Sequence, residues 1–437
     1  MRDFRDCSWD EGTEAILALL PRLTVMRGML ASKPMRELQR CCEAVVEGNI
    51  RAAADACFSM TSALLRGGYR RISGDLLMDL ILHKLLLEPH PFAREAAANR
   101  LDEALYRGIK DDMELLSALR GLDGETLYRF IQERYKELKQ KLRPNRDSET
   151  RLAEAAWGGG ALRPEKEEPQ EPMPKLPAYL PAAAPSWDYG EEELRGNYVA
   201  DEALEEMYHR FLEGGPDWQG MAEDVWNFFA AYGCGVFLKE RMFEWRRGGL
   251  FPMEELRTEE MPPVPDREYR EFLDHAIEFM RGSCMDPVQI VGAAGMGKTS
   301  MLFALAEELP ELRFIYVPEC RSINELAPLM HILRDQPLKF MVAIDDPAFR
   351  GFAERMLPAN VLLAAVSENA DPRFKKRIRV RELRLEGFID CVQRILDRRG
   401  AELPRDIVRS ACVDHQVDSK GELTVAAAFA VADGLMS

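Results

Sequence analysis

The first third of the chain is patterned as one helix after another. Apolar side chains recur three and four residues apart, and no strand-like alternation interrupts them. The pattern is clearest at Leu76, Leu77, Leu80, Leu82, Leu85 and Leu86. Further helices are predicted over 92–107, 111–120 and 124–142, and Asp123 precedes the last of them as its N-cap. We therefore predict that residues 1–145 form an all-α N-terminal domain.

The composition changes over residues 146–196. Seven of the 26 prolines lie between Pro164 and Pro185, and acidic residues accompany them. Such a segment cannot bury enough apolar surface to fold, so it is predicted to be an extended acidic linker. The alternative is that its aromatic side chains dock on a folded neighbour; these are Tyr179, Trp187 and Tyr189.

Strands and helices alternate in the last third of the chain. Residues 197–283 are predicted to be a helical connector. Over 284–386, short apolar runs alternate with helical segments, and five strands are predicted: VQIVG, RFIYV, KFMVAID, NVLLAAV and RVRELRL. This alternation is typical of a parallel sheet with helices on both faces. Residues 387–437 return to a helical pattern and are predicted to form a small lid on this α/β core.

The sequence GAAGMGKT at 292–299 fits the P-loop pattern G-x-x-x-x-G-K-[ST] at every position. The predicted strand before it and the predicted helix after it provide the context that the motif requires. Glycines let the backbone bring N–H groups against phosphate oxygens, and the start of the helix adds a positive dipole. The predicted ATP-binding residues are Gly292, Ala293, Ala294, Gly295, Met296, Gly297, Lys298, Thr299 and Ser300.

Charged and hydroxyl side chains complete the predicted site. Lys298 is expected to contact the β- and γ-phosphates, and the hydroxyl of Thr299 is expected to ligate Mg²⁺. The strand KFMVAID ends in an acidic pair. Asp345 is predicted to hold Mg²⁺ through water, and Asp346 to orient or deprotonate the attacking water. ATP and Mg²⁺ are therefore the predicted ligands.

Two more candidates follow the strand NVLLAAV. Asn369 is a candidate sensor of the γ-phosphate, as in ring-forming P-loop ATPases, although an ordinary polar strand end explains it equally well. Arg373 opens a basic run. It is a candidate arginine finger acting on the nucleotide of a neighbouring copy, which implies a homo-oligomer. The alternatives for the run are a contact to phosphate or nucleic acid, and a solvated basic edge.

Charge and cysteine spacing exclude several classes of protein. The net charge is -16, and because residues 1–150 carry equal numbers of acidic and basic side chains, the whole excess lies after them. This argues against a nucleic-acid coat protein and makes nucleic acid a poor candidate partner. The nine cysteines are scattered without a CxxC pair, which indicates free thiols rather than a disulfide framework or a zinc site. A polar N-terminus and the lack of a long apolar run predict a cytoplasmic protein with no membrane segment.

Features specific to one family surround the P-loop. The segment Phe243-Glu244-Trp245-Arg246 precedes it, and Phe349 follows the acidic pair after two residues. In these features, residues 230–435 resemble the AAA+-type ATPases catalogued as domain of unknown function 815. The resemblance implies an AAA+-like core with a helical lid that clasps the nucleotide.

The chain also departs from that family. In an ungapped match, Glu368 takes the position of the sensor asparagine, and Asn369 comes one residue late. The lid lacks the family's arginines between Lys420 and Ser437. Losing a charge-stabilising arginine costs about 10³-fold or more in turnover in such sites. Nucleotide binding is therefore expected to be retained, and hydrolysis to be weakened.

Three functions remain open at this point. The first is a slow Mg²⁺-dependent ATPase that couples its nucleotide state to a protein partner, which the N-terminal helices would recognise. The second is an interaction switch that binds nucleotide and does not hydrolyse it. The third, a small-molecule kinase, is disfavoured because it would need an acceptor pocket and usually a mobile basic lid, and the long helical front offers such an enzyme nothing obvious.

Overall fold

The computed structural model describes most of the chain in two units. Contacts within the chain group Met1–Ala96 with Arg100–Phe229 as the first unit, and Ala97–Asn99 with Ala230–Ser437 as the second. The described residues are 3–141, 176–189, 200–215, 217–253, 266–346, 349, 357–418 and 423–436. Among them, no helix combines the length and the apolar character needed to cross a bilayer.

The described part of the first unit is helical, as the sequence predicts. Its helices are α1 (Trp9–Leu19), α2 (Lys33–Val46), α3 (Ile50–Leu65), α4 (Leu76–Leu86), α5 (Pro91–Ala97), α6 (Glu103–Ala118), α7 (Gly124–Lys141), α8 (Asp201–Glu213) and α9 (Ala222–Tyr232). Side-chain caps set several starts, and the predicted N-cap Asp123 accepts a hydrogen bond from the N–H of Thr126 at 2.7 Å. The guanidinium of Arg70 pairs with Asp201 and Glu205, which ties α8 to this unit.

The described end of the predicted linker is packed on the first unit. Within residues 176–189, the Trp187 ring is 1% exposed, and its Nε1 donates a hydrogen bond to Thr61 Oγ1 at 2.8 Å. The Tyr189 hydroxyl donates to the buried carboxylate of Asp79. For this stretch the prediction of a solvated linker is wrong, because two large aromatic side chains bury more apolar surface than the prolines and charges suggest.

The second unit is an α/β fold. Its elements are α10 (Val236–Lys239), β1 (Met242–Arg246), β2 (Gly249–Pro252), α11 (Asp266–Met280), β3 (Val288–Val291), α12 (Lys298–Glu308), β4 (Arg313–Val317), α13 (Ala327–Arg334), β5 (Phe340–Ile344), β6 (Val361–Ser367) and β7 (Lys376–Arg379). The strands of the described residues form one sheet in the order β2-β1-β4-β5-β6-β3-β7. All neighbouring strands are parallel except β1 and β2.

Helices cover both faces of this sheet, as the alternating pattern predicts. Strand β5 shows why, since its side chains alternate between two apolar clusters. Met341 and Ala343 pack with α11 and α12 on one face. Phe340, Val342 and Ile344 pack with α13 on the other. Because β3, β5 and β6 are parallel, their carboxyl ends lie at the same edge of the sheet. Ligands bind at this edge in such sheets.

A helical lid follows the sheet. It consists of α14 (Leu385–Arg398), α15 (Arg405–Asp418) and α16 (Val425–Met436). Their buried apolar side chains form a cluster of their own, with Phe388, Ile395, Cys412 and Ala428 among its members.

The α/β class with a preceding helical domain is confirmed, but the sheet has seven strands where five were predicted. The additional pair is the hairpin β1–β2, which turns at Arg247 and Gly248 with positive φ values of 51° and 75°. The last strand is also misplaced in the prediction. RVRELRL begins at Arg379, whereas β7 ends there; Ile378 is the buried residue of β7, and Leu383 is only partly buried against the same cluster.

Candidate nucleotide-binding site

The loop between β3 and α12 carries the P-loop sequence. Gly295 and Gly297 have φ values of 74° and 78°, a conformation that glycine adopts without strain. Gly297 is the N-cap of α12, so the helix begins directly at Lys298. The positive end of the α12 dipole therefore lies at the end of the loop, where it favours binding of an anion.

Gly292 has a steric reason to be glycine. A Cβ atom at this position would lie 2.8 Å from the carbonyl oxygen of Val380, which follows β7. The N–H of Gly292 donates to the carbonyl of Ser367 at the end of β6. The start of the loop is thus held between the two strands that flank β3.

Lys298 is folded back along its own loop. Its Nζ donates hydrogen bonds to the carbonyls of Gly292 at 2.9 Å and Ala293 at 2.7 Å, and the residue is 8% exposed. Burial lowers the pKa of the ammonium group, while the charges of Glu368 and Asp345 raise it. The side chain is thus a largely desolvated cation beside the loop.

Asp345, which directly follows β5, accepts hydrogen bonds from two hydroxyl groups. Its Oδ2 accepts a hydrogen bond from Thr299 Oγ1 at 2.8 Å and another from the Tyr316 hydroxyl at 3.0 Å. Burial, and then the charge of Asp345, raises the pKa of the Tyr316 phenol, which therefore stays a proton donor. The predicted pair of Mg²⁺ ligands, Thr299 and Asp345, is brought into direct contact.

Asp346 is held in a different way. Its Oδ2 accepts a hydrogen bond from the backbone N–H of Cys320 at 2.8 Å, just beyond β4. The two adjacent carboxylates are therefore turned to different partners, Asp345 to the P-loop helix and Asp346 to the end of the neighbouring strand.

A cavity of about 320 Å³ lies against the P-loop. Its size is at the lower end of the range for small-molecule sites. Its wall consists of Ala294, Gly295, Met296, Gly297, Lys298, Thr299, Ser300, Asp345, Val366, Ser367, Glu368, Val425, Ala426 and Phe429. Among these residues Lys298 is the only basic one, and two carboxylates share the wall with it.

The predicted catalytic residues do not line this cavity. Of the described residues that form the cavity wall, none is Asp346, Asn369 or Arg373. The Arg373 guanidinium is bound by the carboxylate of Asp371, with Nη2 to Oδ2 at 2.6 Å, and the side chain is 46% exposed. The backbone carbonyl of Asn369 accepts hydrogen bonds from Ser367 Oγ at 2.8 Å and Gln289 Nε2 at 3.2 Å.

The start of α16 is a part of the site that the sequence analysis does not identify. The N–H of Ala426 donates to the carbonyl of Gly295 at 3.0 Å. A Cβ on Gly295 would lie 3.1 Å from the Ala426 methyl group. Val425 and Phe429 close the wall beside them. Because these side chains carry no charge or ligand chemistry, no motif marks them, and only the fold brings them to the loop.

The residues present fit a nucleotide's phosphate chain. The loop has no room for side chains at Gly292 and Gly295, and together with the start of α12 it supplies N–H donors for phosphate. Lys298 adds one ammonium group. The hydroxyl–carboxylate pair supplies the hard oxygen ligands that Mg²⁺ requires. The fold and the loop are those of a nucleotide-binding P-loop protein.

Comparison with solved structures finds similar chains of low identity. One is the Thermotoga maritima RuvB Holliday junction branch migration motor, with 14% identity over 39% of this chain and 70% of that chain, at a TM-score of 0.28. Another is a substituted form of the same protein, with 13% identity over 40% of this chain and 70% of that chain, also at 0.28. A search of curated proteins finds no match.

Comparison with family models gives one match within the second unit. Residues 239–367 match the model described as protein of unknown function, DUF815. The matched segment contains the P-loop, the acidic pair and the strands β3 to β6. Residues 239–367 are therefore similar to the DUF815 family, as the resemblance predicts.

Proposed function

We propose that the second unit binds Mg²⁺-ATP at the P-loop and hydrolyses it slowly. The observation that carries this proposal is the 2.8 Å hydrogen bond from Thr299 Oγ1 to Asp345 Oδ2, at the mouth of a P-loop with its lysine in place. A hydroxyl and a carboxylate joined in this way are the pair of oxygen ligands that Mg²⁺ uses in P-loop sites.

Each residue has a separate role in this proposal. The N–H groups of the loop hold the phosphate chain, and Lys298 exchanges its two carbonyl partners for phosphate oxygens. Thr299 would hold Mg²⁺ directly and Asp345 would hold it through water, and the bound metal would supply positive charge against the phosphates. Asp346, anchored by Cys320, orients water for attack and accepts its proton.

Slow turnover follows from the charges of the wall. The described cavity-lining residues include no arginine. They include two carboxylates, Asp345 and Glu368. Arginine stabilisation of the transferring phosphoryl group is worth about 10³- to 10⁵-fold in turnover. A pocket with one ammonium group and two carboxylates lacks that contribution within a single chain. Arg373 remains a candidate donor from a neighbouring copy.

A second candidate function is a switch that binds nucleotide without turnover. The hydrogen bond from Ala426 N–H to the Gly295 carbonyl supports it, because the loop that would hold phosphate directly contacts the lid. In this second function, the lid responds only to whether nucleotide occupies the site, and Asp346 has no catalytic role.

Nucleotide affinity and turnover of three variants test both versions. Lys298→Ala should weaken Mg²⁺-ATP binding about 10- to 100-fold, since it removes charge-assisted hydrogen bonds worth about 1.5–3 kcal/mol. Arg377→Ala is the matched control, because it removes an exposed positive charge outside the cavity wall. Asp346→Asn should bind ATP like the wild type and lose turnover.

The outcomes separate the two functions. If Lys298→Ala binds as tightly as Arg377→Ala, the site is wrongly assigned and both versions fail. If binding depends on Lys298 but Asp346→Asn and the wild type have equal turnover, the ATPase fails and the switch stands. Turnover that falls with Asp346→Asn supports the ATPase.

The helical first unit is the proposed recognition element for a protein partner. A groove of about 1230 Å³ on this unit supports the proposal, with Arg22, Glu114 and Arg120 among its lining residues. We also propose a cytoplasmic setting, in which ATP is available and the nine thiols, none of them in a disulfide, remain reduced. Sedimentation with and without ATP tests the homo-oligomer that a trans-acting Arg373 requires, and a monomer in both states would exclude that role.

A further inference from the structure

Three side chains of different chemistry converge between α11 and β3. His275 and Glu278 lie one turn apart on α11, and Cys284 lies in the connection that leads to β3. The P-loop follows the carboxyl end of β3, whereas this cluster precedes its amino end. The cluster is thus separate from the candidate nucleotide site.

The three side chains place their ligand atoms close together. The ligand atoms of the three side chains all lie within 4.8 Å of one another, and Cys284 Sγ is 3.8 Å from His275 Nδ1. In tetrahedral zinc sites, Zn–N bonds of about 2.0 Å and Zn–S bonds of about 2.3 Å place the nitrogen and sulfur about 3.6 Å apart. The observed separation therefore needs only a small adjustment to admit an ion.

The histidine ring is already oriented for ligation. Its Nε2 lies 2.8 Å from the backbone carbonyl of Asp286, and a carbonyl only accepts, so Nε2 carries the proton. In the neutral ring, Nδ1 then holds the lone pair, and this atom faces the thiol. Metal-ligating histidines are held in this way by a partner on the other ring nitrogen. With 5% of its surface exposed, His275 also has little freedom to turn away.

We propose that His275 Nδ1, Cys284 Sγ and Glu278 bind a divalent transition metal, with Zn²⁺ as the best match. A nitrogen, a thiolate and a carboxylate are ligands that zinc accepts together, whereas Mg²⁺ and Ca²⁺ prefer oxygen alone. On binding, the thiol proton passes to solvent and the thiolate bonds to the metal. Water fills the fourth position beside the exposed Glu278.

The site ties the helix before β3 to the loop that enters this strand. Asp286, whose carbonyl orients His275, also pairs through its carboxylate with Lys375, next to β7. A metal here stabilises the start of the strand that leads to the P-loop. Cysteine spacing alone does not find it, because two of its three ligands are not cysteines.

Metal titration of the full-length, untagged protein tests the proposal. After removal of metal with a chelator, the wild type should bind one equivalent of Zn²⁺ in competition with a chromophoric chelator. Because loss of a second-shell partner alone costs about 10- to 100-fold in affinity, Cys284→Ser should weaken binding by about 100-fold or more. Glu278→Gln should weaken it by about tenfold or more. Asp274→Asn, the same charge change at an exposed position of α11, should stay within about twofold of wild type.

Cobalt provides a readout that unfolding cannot imitate. Co²⁺ bound to the wild type should give a thiolate charge-transfer band and the visible bands of a tetrahedral centre, and Cys284→Ser should lose the charge-transfer band while its far-ultraviolet circular dichroism is unchanged. The other eight cysteines are buried in the fold, so Cys284 is the accessible thiol. A wild type that binds less than one equivalent of either metal overturns the proposal. So does a Cys284→Ser variant that retains wild-type affinity or the charge-transfer band.

Discussion

Glu368 brings a negative charge to the wall of the cavity that is proposed to hold a triphosphate. It stands at the end of β6, at the position where the resembling family has its sensor asparagine, and its side chain is exposed. Its charge also raises the pKa of Lys298 against the effect of burial, so carboxylate and phosphate would compete for the same ammonium group. We predict that Glu368→Gln tightens nucleotide binding.

The cavity volume sets the size of the effect. A sphere of 320 Å³ is about 8 Å across, so a charge on the wall and a charge at the far side are separated by about that distance. At 8 Å, two unit charges repel by about 2 kcal/mol at an effective dielectric constant of about 20, and by about 0.5 kcal/mol in bulk water. An exposed carboxylate lies between these limits. The expected gain in affinity is therefore about 2- to 30-fold.

Equilibrium titration with a fluorescent ATP analogue, in Mg²⁺ and at two salt concentrations, measures this gain. Glu382→Gln is the matched control, because it removes the same charge from an exposed position outside the wall. The gain for Glu368→Gln should shrink at higher salt, since exposed charges are screened. If the two variants change affinity equally, the local repulsion does not exist and the assigned cavity does not hold the phosphates.

The remaining predictions concern the first unit and Arg373. Trp187→Ala should lower the free energy of unfolding by about 3–5 kcal/mol in urea denaturation, whereas Tyr179→Ala, at a side chain 79% exposed, should change it by less than about 0.5 kcal/mol; equal effects would contradict docking of the segment. Arg373→Ala should leave the ATP affinity of a monomeric sample within about twofold of wild type in equilibrium dialysis, because its guanidinium is bound to Asp371, and a tenfold loss would contradict this placement. Burial lowers the pKa of His90 from 6.5 to about 4, so the unfolded chain binds the proton first as pH falls. The wild type should therefore lose about 3 kcal/mol of stability relative to His90→Gln between pH 7 and pH 4, and a constant difference in urea titrations across that range would contradict it.

The sequence predicts the chemistry of the second unit because its motif and its context are local. Strands β3 to β6 are buried on both faces, so each appears in the sequence as a short, continuous apolar run, and the P-loop glycines mark the turn between one such strand and a helix. The acidic pair then falls at the carboxyl end of β5, where parallel strands present ligands. The contact between Thr299 and Asp345 follows from topology that the alternating pattern already contains.

The misplaced elements depend on contacts distant in sequence. Strand β1 pairs with β2 and with β4, and the segment FEWRRGG gives no buried run that announces either pairing. The segment around Trp187 has the composition of a linker, yet the indole finds an apolar site and a hydroxyl on α3. The backbone around Asn369 is held by Gln289, a buried glutamine on β3, and Asn369 does not line the cavity. In each case the contacts involve residues that are distant in the sequence or have no local pattern to mark them.

In the switch that we propose, the lid would carry the signal that the pocket is occupied. The apolar cluster of the lid consists of residues from α14, α15, α16 and the adjoining loops, so the three helices share one core. Its described contact with the loop runs through the start of α16, where Thr424 caps the helix and the N–H of Ala426 reaches Gly295. Gly295 has a left-handed backbone and no side chain. In the proposed switch, a phosphate that draws the N–H groups of the loop toward itself would also shift the carbonyl that holds α16. Coupling of this kind requires binding energy and no arginine. In the proposed function, this coupling would therefore not depend on the rate of hydrolysis.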